Sequence, residues 1–290
     1  MPRPHYIEPV FRPPAEADSL IFQVAYGCPH NTCRFCGMYK GVRYRERPEA
    51  EVLAEFSAVA PSFREESRIF LADGDVMALP FARLRACLER LNAVYPALAR
   101  VNVYANGSSI LSKTRDELLE LRRLKLNTLY LGMESGSEAL LKLICKPESA
   151  AVMTEAVQLA QSCGFKCSVM ILLGLGGRKH SAGHIRGTIE VLNRMRPRLL
   201  SALRFIPVPN IRMFDGFDEL TEYEAVQELR AVIAGLELDR TVFRANHTSN
   251  PVPLAGRFPA DKQALLMNLD MLLNANMLDR HSPGPRPFSL

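Results

Sequence analysis

Three cysteines, Cys28, Cys33 and Cys36, fall within nine residues of one another in the stretch Gly27-Cys28-Pro29-His30-Asn31-Thr32-Cys33-Arg34-Phe35-Cys36. Three thiolates on one short loop can hold three corners of an iron–sulfur cube. The next cysteine in the chain is Cys87, so a fourth iron would stay open to an exogenous ligand. An open iron means chemistry rather than simple electron carriage. The alternative for the same thiolates is a zinc knuckle with His30 as the fourth ligand. A structural zinc site would sit more naturally in a small module that depends on its metal.

The elements that position this loop are read from hydrophobic patterning. Leu20 to Tyr26 is an apolar run that leads straight into the cysteines and reads as a first strand buried on both faces. A pattern then repeats. Apolar strands at 68–72, 101–104, 127–131, 168–173 and 199–205 alternate with helices at a spacing of roughly 30 residues. One of these helices is expected to start at Pro80, one to be capped by Ser112, and one to run from Ile185 to Met195. Six strands alternating with helices predict a parallel sheet with right-handed crossovers. Six units fall short of a closed eight-stranded barrel. The expected fold is therefore α/β, a partial (β/α)6 TIM-like barrel.

Residues 1–18 are proline-rich without periodicity and are expected to form an extended N-terminal arm. The core is expected over 19–210. Residues 211–290 are read as a C-terminal helical cap, with helices at 221–235 and 260–277 and a disordered tail from Ser282.

Polar and glycine residues collect just after the strands, at the sheet edge where parallel α/β proteins carry their sites. They are Asp73-Gly74-Asp75, Asn106 and Ser108, Gly132-Met133-Glu134-Ser135-Gly136-Ser137, and Gly174-Leu175-Gly176-Gly177. Two carboxylates beside a glycine suit an ammonium group. A glycine run allows close backbone approach to a ligand. Ser135 or Ser137 could equally cap the following helix. Cys87, Cys145, Cys163 and Cys167 match no compact ligand set and read as small buried hydrophobes. The polar stretch His247 with Asn246 and Asn250 reads either as turn chemistry or as a contact to substrate.

Composition bounds the rest. At 290 residues with 48% hydrophobic content the chain can build a sizeable core. Seven cysteines, an odd number in a large chain, argue against a disulfide scaffold. There is no apolar run of membrane-spanning length and no apolar segment after Met1-Pro2-Arg3-Pro4-His5, so no membrane partner and a cytoplasmic location are expected. The net charge of +5 comes from scattered Lys and Arg without a dense basic block, which leaves nucleic acid as the lesser expectation.

The cysteine loop after a first buried strand, with aromatic Phe35 directly before the third cysteine, resembles the radical SAM enzymes. Their usual spacing is three residues and then two; here it is four and then two. A one-residue expansion of a loop costs little and leaves all three thiolates reachable. The resemblance covers roughly residues 19–210. The segment 132–137 looks like that of the branch containing the oxygen-independent coproporphyrinogen oxidases, the tRNA methylthiotransferases and the Elongator catalytic subunit.

The resemblance implies that Cys28, Cys33 and Cys36 bind a [4Fe–4S] cluster whose open iron chelates S-adenosylmethionine. Asp73, Gly74 and Asp75 would hold its amino group, and Glu134 and Ser135 the methionine or ribose portion. Gly174 and Gly176 would approach the adenine. Phe35 would pack near the adenine or shield the cluster, and Asn106 and Ser108 would touch cofactor or substrate. Arg178, Arg186 and Lys146 are candidates for the methionine carboxylate. An electron from a flavodoxin or ferredoxin would then give a 5′-deoxyadenosyl radical that abstracts hydrogen from substrate. No cobalamin-binding, RNA-binding or acetyltransferase segment is recognisable, so a small molecule is expected ahead of tRNA. The competing class is a non-enzymatic iron–sulfur or zinc carrier.

Overall fold

The computed structural model describes residues 3–286. In chain order its main elements are β1 (Leu20–Gln23), β2 (Ala25–Tyr26), β3 (Arg45–Glu46), α1 (Glu49–Val59), β4 (Arg68–Ala72), α2 (Phe81–Val94), β5 (Arg100–Ala105), α3 (Gly107–Leu111) and α4 (Arg115–Arg123). They continue with β6 (Leu126–Glu134), α5 (Glu138–Leu143), α6 (Ala150–Ser162), β7 (Lys166–Leu173), α7 (Gly177–Met195), β8 (Leu199–Arg204), α8 (Glu222–Gly235), β9 (Thr241–Ala245), β10 (Leu254–Phe258) and α9 (Lys262–Asn274). The main sheet has eight strands in the order β1-β4-β5-β6-β7-β8-β9-β10. The six predicted strands are its first six, in sequence order, except that the first ends at Gln23, and Ala25–Tyr26, expected to continue it, pairs antiparallel with Arg45–Glu46 in a separate two-stranded sheet; no pairing of β1 with β10 closes the main sheet among the described residues. This is the partial, TIM-like α/β sheet that the alternation predicts.

The chain divides into two compact units. One holds the described residues through Asn31, with Met38–Leu131 and Ala156–Cys167; the other holds Thr32–Gly37, Gly132–Glu155 and the described residues from Ser168 onward.

In the first unit β1, β4, β5 and β6 pair in parallel. One sheet face packs on helices. Phe22 of β1 lies edge-on to Phe56 of α1 at 4.8 Å and to Tyr95 at 6.3 Å between ring centroids. Helix α2 buries Leu84, Cys87, Leu88 and Leu91, the i, i+3, i+4, i+7 stripe of a one-sided helix. Phe70, Tyr104 and Tyr130 meet edge-to-face across β4, β5 and β6. Buried Glu16 accepts from Asn102 Nδ2 at 2.8 Å and from the Tyr130 hydroxyl, which ties residues before β1 to the sheet. Helix α4 starts two residues later than the Ser112 cap predicts. Thr114 and Glu117 form a capping box there, Thr114 Oγ1 accepting the Glu117 amide at 3.2 Å and Glu117 Oε2 the Thr114 amide at 2.7 Å.

In the second unit β7 and β8 pair in parallel, and β9 joins β8 in parallel. Between the two helices expected in the C-terminal region the chain forms strands rather than only a turn. Residues 241–258 supply β9 and β10, an antiparallel pair with Leu254 opposite Ala245 and Phe258 opposite Thr241. The reason is a period of two: Thr241, Phe243 and Ala245 are buried, as are Leu254, Gly256 and Phe258, while Arg244 and Arg257 point outward. Helix α7 also begins eight residues earlier than predicted, directly at the glycine turn. In the stretch expected to be a loose tail, Ser282 accepts the Glu222 amide at 3.1 Å and bonds Asp279, and Arg286 donates to Pro207 O at 3.1 Å. Residues 287–290 of that stretch lie outside the described residues. No helix among the described residues is long and apolar enough to cross a membrane.

Candidate active site

In the first unit the turn after β4 is built against the cysteine loop. The Gly74 amide donates to Gly27 O at 3.0 Å. A Cβ on Gly74 would stand 2.4 Å from Cys28 Cβ and 2.8 Å from its Sγ, so only glycine fits there. Asp73 takes a positive φ of 93° and is buried. Its carboxylate accepts from Gln23 Nε2 at 3.2 Å. Burial pushes the Asp73 carboxyl up to about 7, against the pull of the Gln23 and Tyr39 side chains beside it. Asp75 accepts from Ser109 Oγ at 2.9 Å and Asn106 Nδ2 at 3.4 Å, and meets His30 Nε2 at 3.1 Å.

The structure thus brings together Cys28, Asp73, Gly74, Asp75 and Asn106 from the predicted set. Ser108 is exposed on α3, and its neighbour Ser109 makes the contact to Asp75. Sequence reasoning missed Ser109 and Gln23. Ser109 lies one residue beyond the position chosen, and Gln23 is the lone polar residue in an otherwise apolar strand.

The enlarged loop between Cys28 and Cys33 is not slack. His30 is held by Asp75. Asn31 Nδ2 donates to Tyr39 O, and Lys40 Nζ donates to Asn31 O at 3.1 Å.

In the second unit Cys33 is buried, and Phe35 and Cys36 are half-buried. Their segment is pinned by the Arg34 amide, which donates to Ile144 O at 2.8 Å, and by Asn210 Nδ2, which donates to Gly37 O at 2.9 Å. Glu134 ends β6 with a φ of 64°, and its carboxylate folds back over Gly132. Lys146 Nζ lies 3.7 Å from Glu134 Oε1, and both side chains are buried. Glu134 Oε2 is buried without a hydrogen-bond partner. Burial raises the Glu134 carboxyl above its usual range, and the Lys146 ammonium pulls it down.

Ser135 is fully buried. Its hydroxyl accepts the Ser137 amide at 3.0 Å and meets His184 Nδ1 at 2.8 Å. Ser137 caps α5, one of the roles read from the sequence. Gly174 and Gly176 are buried in the turn that opens α7, and the Gly174 amide donates to Glu228 Oε1 at 2.6 Å. His184 and Glu228 carried no sequence signal, because a single histidine and a single glutamate in amphipathic helices read as surface.

The cations proposed for the methionine carboxylate are differently placed. Arg178 pairs with Asp218 at 2.6 Å and Glu224 at 2.9 Å on the surface. Arg186 is exposed on α7, and Lys146 faces Glu134. His247 bonds Ser249 within its own turn, while Asn250 Nδ2 donates to Ala202 O at 2.8 Å. Cys87, Cys163 and Cys167 are buried, and burial pushes the Cys87 and Cys167 thiols each up to about 12. Cys145 is half-buried.

The donor set fits an iron–sulfur cube. Three thiolates are soft ligands suited to its corners, each taking a separate iron. The unpartnered Glu134 oxygen is an acceptor awaiting a donor, which the ammonium or ribose hydroxyl groups of S-adenosylmethionine can supply.

A mostly parallel sheet whose strands alternate with helices defines an α/β protein of the partial-barrel class. The chain belongs to the radical SAM superfamily, whose family model matches residues 22–186, more than half of it. Members use a [4Fe–4S] cluster and S-adenosylmethionine, so the protein is an enzyme rather than a non-enzymatic carrier. Among solved structures it is similar to coproporphyrinogen III oxidase (HemN) from Escherichia coli, with a TM-score of 0.59 and 18% identity over 74% of this chain and 51% of that one. It is similar to the FeFe-hydrogenase maturase HydG from Carboxydothermus hydrogenoformans, with a TM-score of 0.53 and 18% identity over 86% and 56%. It is also similar to methylornithine synthase (PylB), with a TM-score of 0.51 and 14% identity over 93% and 76%. The chain spans about half the length of the first two of these proteins. No curated protein matches in sequence.

Proposed function

We propose that this protein acts on a small molecule by hydrogen-atom abstraction, with Cys28, Cys33 and Cys36 holding the cluster. Bound cluster and S-adenosylmethionine, given one electron from a donor such as flavodoxin or ferredoxin, supply a 5′-deoxyadenosyl radical. The observation that carries the residue assignment is the buried Glu134 oxygen without a partner, beside a single compensating Lys146. An uncompensated acceptor in a sealed site is costly, and a ligand N–H or O–H relieves it.

Each residue then has a role its surroundings support. Gly74 lets the turn after β4 press against Cys28, which orients that thiolate. Asp73 and Asp75 offer carboxylates beside it for the amino group, with Asn106 and Ser109 orienting Asp75. Glu134 accepts from the methionine or ribose portion. Gly174 and Gly176 present backbone to the adenine, and half-buried Phe35 shields the cluster from water.

Anaerobic reconstitution with iron and sulfide tests this reading. A cluster absorbance that disappears when the three cysteines are replaced, together with 5′-deoxyadenosine formed on dithionite reduction, supports it. Absence of both refutes it. Deuterium transfer from labelled cell metabolites into 5′-deoxyadenosine then identifies the substrate class, and transfer only from RNA would overturn the small-molecule reading.

A further inference from the structure

Ser135, His184 and Glu228 form a sealed polar chain to which the roles above assign no task. They come from three places: Ser135 follows β6, His184 lies in α7 and Glu228 in α8. His184 and Ser135 are 0% exposed and Glu228 is 2% exposed. His184 Nδ1 meets Ser135 Oγ at 2.8 Å. On the other side of the ring, His184 Nε2 stands 3.6 Å from Glu228 Oε1 without completing a hydrogen bond. The Glu228 carboxylate accepts the Gly174 amide at 2.6 Å and the Ser181 hydroxyl. One turn beyond His184, Thr188 Oγ1 accepts the Gly136 amide at 3.1 Å.

Contacts and chemistry agree on how the chain is wired. Burial lowers the pKa of the imidazole, although the Glu228 carboxylate pulls the other way. Nδ1 shares a hydrogen bond with the Ser135 hydroxyl and also lies 3.4 Å from Thr188 Oγ1, while Nε2 faces the Glu228 carboxylate across 3.6 Å. The Ser135 oxygen remains open to the Ser137 amide, which it takes at 3.0 Å. The backbone reinforces the link: a Cβ on Gly136 would stand 2.1 Å from Gly187 O, so the turn after β6 lies directly on α7. Apolar residues would fill this space more simply. A carboxylate and an imidazole sealed from water here connect one cofactor-side turn to the other.

We propose that His184 and Glu228 are positioning residues. They hold the Glu134–Ser137 turn and the Gly174–Gly177 turn in one register, so that both meet S-adenosylmethionine already in place. This rests on the reading that the two turns receive that cofactor.

Two measurements on the reconstituted full chain test it: equilibrium dialysis of S-adenosylmethionine and amide hydrogen exchange of the cofactor-free protein. Iron content and melting temperature are recorded on the same preparations. His184→Ala and Glu228→Ala are expected to weaken S-adenosylmethionine binding about tenfold at unchanged iron content, the scale of one lost buried hydrogen bond. Exchange should accelerate in both turns together. His184→Asn, which keeps an acceptor for Ser135, and Glu228→Gln, which keeps one for Gly174, should recover most of the affinity and serve if the alanine variants do not fold. Variants that melt lower yet bind S-adenosylmethionine as wild type does would overturn the proposal and leave only a structural knot. Loosening of one turn without the other would overturn it too. Wild-type protein that loads a cluster but binds no S-adenosylmethionine would refute the cofactor reading itself.

Discussion

Gly74 and Cys28 touch so closely that a methyl group cannot enter between them: the Cβ of an alanine at 74 would lie 2.4 Å from Cys28 Cβ and 2.9 Å from its Cα. The obstacle is backbone and the root of a side chain, which cannot swing away. Gly74→Ala is therefore expected to displace Cys28, lower the iron bound per chain and destabilise the fold by about 1–3 kcal/mol. Gly183→Ala is the control. Gly183 lies inside α7 with nothing within 4 Å of its Cβ position, so alanine there should stabilise by about 0.5–1 kcal/mol through helix propensity. Iron analysis and denaturant titration of both variants check the contrast.

The Glu134–Lys146 pair should respond asymmetrically. Lys146→Met leaves the buried Glu134 carboxylate without its counter-charge, 3.7 Å away in the native chain. Losing one partner of a buried pair costs about 3–5 kcal/mol, so this variant should unfold at markedly lower urea. Glu134→Gln removes the charge that needs compensation and should cost less stability. Its amide still fills the site but no longer offers an ionised acceptor, so S-adenosylmethionine binding should weaken by more than stability falls. Urea melts set against equilibrium dialysis separate the two effects.

His30 clamps the enlarged cysteine loop through Asp75 at 3.1 Å, and its side chain is 24% exposed while that of Asp75 is sealed. His30→Ala should leave global stability within about 1 kcal/mol of wild type, as for a partly exposed polar contact. The Cys28–Cys33 segment should nevertheless become more mobile. Iron loss to a chelator should run several-fold faster than in wild type. Equal rates would mean that Asn31 and Lys40 hold the loop unaided.

Much of this was readable in advance because the signals were periodic or dense. The strand–helix alternation predicts all six parallel strands in order, and three cysteines in nine residues mark the loop. What escaped was tertiary. β9 and β10 are five residues each, with arginines on their outward faces, too short for a period of two to stand out. Ser109 rather than Ser108 reaches Asp75 because α3 starts at Gly107 and turns its third residue inward. His184 and Glu228 are single polar residues on helices, and only the packing of α7 and α8 shows that their solvent-like chemistry is buried.

The buried His184 makes stability depend on pH with a definite sign. Its folded-state pKa lies below the ordinary 6.5 because burial disfavours the imidazolium, and Glu228 of α8, the charged side chain facing it among the described residues, offsets only part of this. Below pH 6.5 the unfolded chain binds a proton at this position that the folded chain refuses. Stability is therefore fully present above that pH and falls as pH drops through it, by up to about 1.4 kcal/mol per unit. His184→Gln removes the titrating ring. The difference in unfolding free energy between wild type and this variant, measured by urea titration between about pH 5 and 7.5, should shrink steadily toward the acid end. A difference that instead grows toward the acid end would mean that Glu228 holds His184 protonated in the fold as an ion pair.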